Sequence, residues 1–226
     1  MFTFLDPREP LELVWSDCPE LVAARPRFVA QLTGAEVNGH DTPVRIGAAF
    51  VRDARTVCGL RAWDDAAEGV HDGTPWAAFE VEKLVRMMLH QSGLAFELLA
   101  SARVWSDDFD GRRIIQAAAT SQVLAYYEDV THPLATGRLH EELWRWRSLL
   151  SGLLLARHGE VSFRLPTLLE RLDEVRFGGL AKGGVPTASI AADAHAELAE
   201  RWASLPNQVS DYDWLDDRVA HLRLNA

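Results

Sequence analysis

Cysteine is scarce: the 226-residue chain has two, Cys18 and Cys58, which form neither a CxxC pair nor a disulfide framework. That excludes a small stapled secreted fold and fits reduced thiols in a reducing compartment. Long apolar runs are also missing, every hydrophobic stretch being too short or too interrupted to cross a bilayer. The opening MFTFLDPREP has no basic n-region and no sustained apolar core. It does not read as a secretory signal, so a cytoplasmic location is expected. Lysine is nearly absent, with Lys83 and Lys182 the exceptions in a basic set made of arginine. In an Ala- and Leu-rich chain that reads as coding bias. A net charge of −10 argues against broad nonspecific nucleic-acid binding, because phosphate backbones are held by clustered Lys and Arg. A local basic groove stays open. The sequence carries no internal repeat and no low-complexity tract.

What is present, 48% apolar and 25% charged residues, is the composition of a globular protein with one large domain or two small ones. Short apolar runs bounded by breakers, RFVAQLTG (27–34) and VRIGAAFV (44–51), predict buried strands. Between them GAEVNGHDTP concentrates turn residues. Upstream, Asp17 as N-cap and Pro26 as stop predict a short helix. EGVHDGTPW reads as a loop with Asp72-Gly73 at its tip, followed by a helix from Ala78 that Ser92-Gly93 ends. Its Met87-Met88 pair reads as core packing. LAFELLASARVW predicts a short helix leading into a strand or loop. Beyond Ser106–Gly111 helices dominate: RRIIQAAATSQVLAYYEDV, GRLHEELWRWRSLLSGLLLARHG, RLPTLLERLDEVR and TASIAADAHAELAERWASL. Strands followed by a run of helices predict an α+β fold, a small mixed sheet and then a helical bundle, divided into 1–105 and 106–226. SDDFDG, at that junction, lacks the remaining ligands of an EF-hand.

Several segments in this order resemble the predicted nucleotidyltransferases of the DNA polymerase beta superfamily that accompany bacterial RNA-repair genes. FEVEKLVRMMLHQSGLAFELLAS, with Glu97 and Leu98, is similar to a helix and the leucine-glutamate-x-leucine segment after it. LHEELWRWRSLLSGLLLARHGEV, with Arg147, Leu149 to Gly152 and Gly159 to Val161, is similar to the family's long helix and its exit. LPNQVSDYDWLDDRVAHLRL resembles its closing helix. The resemblance covers roughly residues 20 to 226. It implies that a Gly-Ser turn holds a nucleotide triphosphate and that an Asp-x-Asp on the next strand binds magnesium. Two carboxylates one residue apart on a strand share a face and can grip one or two such ions.

This chain departs from that pattern where the chemistry lies. Gly34 and Gly39 match the two glycines of the turn, but Ala35 stands where the phosphate-contacting Ser is expected. One register puts the metal acids at Thr42 and Val44, the other at Pro43 and Arg45, so both acids are lost either way. Asp41 is the nearest carboxylate, and an arginine at position 45 would repel a cation. Glu36 reads as a substitute ligand or as a solvated turn residue. Glu80 reads as a partner of the helix dipole, with Glu82, or as a surviving third carboxylate. Asn38 and Gly39 complete the candidate cradle, with Trp144 and Arg147 as candidate cleft residues. Arg147 equally fits a buried ion pair with an acid.

Other chemistry is weaker. His40-Asp41 and His71-Asp72 are adjacent pairs that seldom converge on one ligand and read as loop histidines. His140-Glu141 begins a zinc-protease motif in which Trp144 occupies the place of the second His. Ser151-Gly152 has no nucleophile-elbow context. Three functions remain open. One is a catalytically degenerate protein that binds a small molecule or a protein partner, with no metal and no cofactor. Another is an enzyme with a repurposed cleft using Glu36, His40, Asp72, Glu80 or Arg147. The third is a divergent magnesium- and nucleotide-dependent transferase using Asp41 with Glu80.

Overall fold

The computed structural model describes residues 27–33, 46–59, 64–71, 74–101, 103–104, 109–131, 139–162, 164–172, 175–180, 184 and 186–225. The helix expected after Asp17 lies outside them. Five strands form one mixed sheet: β1 (Arg27–Thr33), β2 (Ile46–Val51), β3 (Ala66–His71), β4 (Thr74–Glu80) and β5 (Arg103–Val104), in the order β3-β4-β2-β1-β5. β2 runs antiparallel to β1 and parallel to β4, and β3 and β5 add antiparallel edges. Helices follow: α1 (Ala54–Val57) after β2, then α2 (Val81–Leu89), α3 (Gly93–Ser101), α4 (Gly111–Ala118), α5 (Gln122–Thr131), α6 (Leu139–His158), α7 (Leu165–Leu172), α8 (Ala188–Glu200) and α9 (Tyr212–Leu224). This is the expected α+β arrangement, a small mixed sheet with a helical C-terminal half. Among the described residues no helix is long and apolar enough to cross a membrane.

The expected loop at EGVHDGTPW is a β-hairpin instead. His71 pairs with Thr74, so two residues, Asp72-Gly73, join the strands, the length and composition that tight hairpin turns favour. His71 accordingly closes β3 and is no loop histidine. The predicted helix from Ala78 begins three residues later, because Ala78 to Glu80 belong to β4. Its end also shifts. Gln91, at φ 58°, takes the left-handed turn that glycine usually occupies, and its side chain compensates. Gln91 Nε2 donates to the Ala118 carbonyl at 3.0 Å and Oε1 accepts from Thr120 N–H at 3.1 Å. Those bonds hold the break between α4 and α5, which sequence periodicity alone runs together. Gly93 opens α3 rather than ending α2. Asp110 of SDDFDG caps α4, accepting from Arg113 N–H at 2.9 Å.

One buried cluster extends from Ala49 and Val51 of β2 to Leu215, Val219 and Leu222 of α9. α6 runs through its middle: Leu143, Trp146, Leu149, Leu150, Leu153 and Leu154 are all buried, at the spacing of one helix face. Met88 is buried in the same cluster and Met87 packs against it. Near the end of α6, Arg157 grips Glu197 of α8 with two hydrogen bonds of 2.6 Å, and Arg176 and Arg201 add further contacts at 2.9 and 3.0 Å. The Arg157 bonds outweigh burial and hold the Glu197 carboxyl down at about 2. α5 and α6 meet at very short range, since a Cβ on Gly152 would lie 2.9 Å from Tyr127 Cβ. That neighbour is fixed to backbone and cannot swing away. Gly152→Ala is therefore expected to cost about 1–3 kcal/mol by overpacking, although alanine is the better helix former. Urea denaturation checks it, and an unchanged or raised midpoint contradicts the contact.

Candidate functional site

The strands on either side of the glycine-rich stretch meet at one end of the sheet. Thr33, the last residue of β1, pairs with Ile46, the first of β2, and Ile46 pairs with Trp76 near the start of β4. The two-residue tip of the β3–β4 hairpin leaves from that same end. The strand ends that flank residues 34–45 and 72–73 thus share one end of the sheet, which sequence proximity does not indicate. Gly34, Ala35, Glu36, Asn38, Gly39, His40, Asp41, Arg45 and Asp72 themselves lie outside the described residues, as does the side chain of Trp144 on α6. Among the described residues no group of three His, Cys, Asp or Glu side chains could hold a metal ion.

Glu80 stands elsewhere. Its strand partner is Phe50, four residues along β2 from Ile46, which at ~3.3 Å per residue sets it about 13 Å up the sheet from the glycine-rich end. It is the N-cap of α2, with its carboxylate accepting from Glu82 N–H at 2.7 Å, and its side chain has no exposed surface. Arg223 of α9 closes over it. Its Nε donates to Glu80 Oε1 at 3.2 Å, and its Nη2 lies 2.6 Å from Glu82 Oε2. Arg86 pairs with Glu82 from the outer side. Burial raises the Glu80 pKa and Arg223 offsets only part of that rise. At the less buried Glu82 burial also pushes upward, but Arg223 and Arg86 prevail and its pKa is lowered. Glu80 and Glu82 are thus helix-terminus partners, and the residue that sequence reasoning missed is Arg223, the cation they share.

A second polar group lies among the helices. Glu97 on α3 feels the charge of Arg147 on α6, and the Glu97 charge in turn acts on Tyr126 and Tyr127 of α5. Burial raises the Glu97 carboxyl to about 7 against the pull of Arg147, and one of its oxygens, Oε1, is inaccessible and without a hydrogen-bond partner. Burial, then the Glu97 charge, raises Tyr126 to about 12. Arg147 is pulled down by burial and pushed back by Glu97. Both members of this pair sit in the segments that carry the family resemblance. Ser151, one turn on, donates to the Arg147 and Ser162 carbonyls at 2.9 and 2.6 Å, which employs its hydroxyl structurally.

Two outcomes follow from these charges. Arg223→Ala leaves a buried carboxylate without its cation and is expected to lose about 3–5 kcal/mol at pH 7. The deficit shrinks as pH falls and Glu80 takes up a proton; chemical denaturation across pH measures both. Glu97 has a folded pKa of about 7 against an ordinary 4.5, so the folded chain binds the extra proton between those values. Its contribution is fully present below about 4.5 and is lost as pH rises through about 7. Glu97→Gln is expected to flatten that slope and to gain most over wild type at pH 8. An unchanged slope in the variant rejects the assignment.

No family model matches the chain, and no curated protein matches it. Among solved structures it is similar to a nucleotidyltransferase-like protein from Exiguobacterium sibiricum 255-15, at 11% identity and a TM-score of 0.29, over 95% of this chain and 72% of that one. A likeness of that degree decides neither fold nor activity.

Proposed function

We propose that the chain is a nucleotidyltransferase-like protein that has kept the cradle and lost the transfer, acting as a binding or regulatory protein for a small molecule or a protein partner. The observation that carries this reading is the position of Glu80. A metal-dependent transfer needs carboxylates converging on the ions that neutralise the triphosphate. The sequence has no acid at 42 and 44 or at 43 and 45. The remaining arrangement considered, Asp41 with Glu80, asks for an acid at the glycine-rich end of the sheet, whereas Glu80 sits about 13 Å along it and is occupied by a helix cap and by Arg223. Ala35 removes the hydroxyl of the cradle as well.

In this reading residues 1–105 form the degenerate core and 106–226 the helical domain, and the protein works in the cytoplasm, where exposed Cys58 stays a thiol. Gly34, Asn38, Gly39 and Arg45 form the binding surface, with Arg45 attracting an anionic group in place of the metal. Calorimetric titration with ATP, with and without magnesium, tests the loss of the metal site. The expected result is binding that magnesium does not strengthen, together with no transfer of label from α-labelled nucleotide to protein or RNA. Tight binding strengthened tenfold or more by magnesium overturns the proposal.

A further inference from the structure

β3 closes one edge of the sheet: among the described residues it has β4 on one side and no strand on the other. Its backbone groups can be sorted by direction. Glu80 N–H donates to the Asp65 carbonyl at 2.8 Å, and the register repeats that pairing every second residue, at Ala67–Ala78, Gly69–Trp76 and His71–Thr74. Those residues of β3 direct their N–H and C=O at β4, so by the alternation of an antiparallel ladder Ala66, Glu68 and Val70 turn theirs outward. The devices that blunt an edge are missing from this one. AAEGVH has no proline and no lysine, and its register with β4 runs without a bulge.

The same strand carries an exposed apolar side chain and borders a hollow. Val70 is 66% exposed. Glu68 and Ala66 precede it on the same face of the strand, opposite Ala77 and Phe79 of β4 respectively. Together with Ala67 these four residues line a hollow of about 320 Å³, in which alanine at three of the five positions leaves room beside Phe79. A second copy of the chain offers both things this edge lacks, a strand and an apolar side chain. In a two-fold antiparallel pairing of β3 with β3, outward residues must lie opposite outward residues, so the axis falls on a residue. An axis at Glu68 pairs 66–70 and one at Gly69 pairs 67–71, five residues of each strand, whereas axes nearer the ends pair three or fewer. The first sets the two Glu68 carboxylates directly opposite each other, which is destabilising. The second sets Glu68 opposite Val70 of the second copy, so that the valine arrives on the face that holds the hollow.

We propose that β3 pairs with β3 of a second copy about a two-fold axis at Gly69, joining the two sheets into one and seating Val70 of each copy at the hollow beside Phe79 of the other. Each Glu68–Val70 pair exchanges both of its backbone hydrogen bonds, and the two Gly69 residues meet at the axis with no side chain between them. A strand from an unrelated protein would not need the valine and the hollow to stand on one chain. Their presence together, matched in the one five-residue register free of opposed charges, fits a second copy. The pairing is independent of what binds at the glycine-rich end.

Sedimentation equilibrium of the intact chain from ~5 to ~500 μM, the range in which so small an interface associates, is expected to show monomer and dimer in exchange. Val70→Lys places a charge at the hollow and is expected to weaken the dimer about tenfold or more. Glu68→Pro removes an outward N–H that β4 does not use and is expected to abolish it, with the far-UV circular dichroism of both variants unchanged. Amide hydrogen exchange in the wild-type chain decides the matter even where a variant folds poorly. The Glu68 and Val70 amides are expected to exchange more slowly as concentration rises over the same range. A chain that stays monomeric throughout, Glu68 and Val70 amides indifferent to concentration, or a dimer that both variants keep each overturns the pairing.

Discussion

A carboxylate with no exposed surface at the end of a strand obliges the chain to bring it a cation, and here the cation arrives from 143 residues away. Arg223 ties α9, whose Leu215, Val219 and Leu222 are buried in the core, to the junction of β4 and α2. Taking either partner away leaves a charge in a medium that solvates it poorly, so the two ends of the chain depend on one another. The cap that Glu80 gives α2 adds a second use for the same carboxylate. Occupied twice over, the carboxylate serves the architecture.

Close approach is the other constraint. Gly93 and Gly152 both lie under tyrosine rings of α5, yet with different consequences. At Gly152 the nearest atom is the Cβ of Tyr127, and at Gly93 it is the ring of Tyr126. Buried Glu97 on α3, and a network of three arginines on Glu197 at the far end of α6, separate a part of the fold that responds to pH near neutrality from one that stays ionised down to about 2.

The strands RFVAQLT and IGAAFV were legible because each is a short apolar run between breakers, and the long helix α6 because its twenty residues carry apolar side chains at helical spacing with no proline among them. The β3–β4 hairpin was not. AAEGVH contains one β-branched residue and no aromatic one, so propensity says nothing, and only pairing with β4 makes it a strand. The boundary between α4 and α5 was hidden for a related reason: Gln91, distant in sequence, holds the break with its side chain. Gly93 misled in the opposite direction, since glycine after a helix reads as a stop and here it is kept for the ring that covers it.

The sequence by itself determined that Ala35 stands after Gly34 and that positions 42 to 45 hold no acid, which are facts of residue identity that no folding alters. It also determined the α+β order of elements, since hydrophobic periodicity and breakers act over a few residues. Tertiary structure alone decided which charges meet. Glu80 with Arg223 and Glu97 with Arg147 are pairs made across the fold, and their ionisation depends on burial, which is a property of the packed chain and of no local stretch.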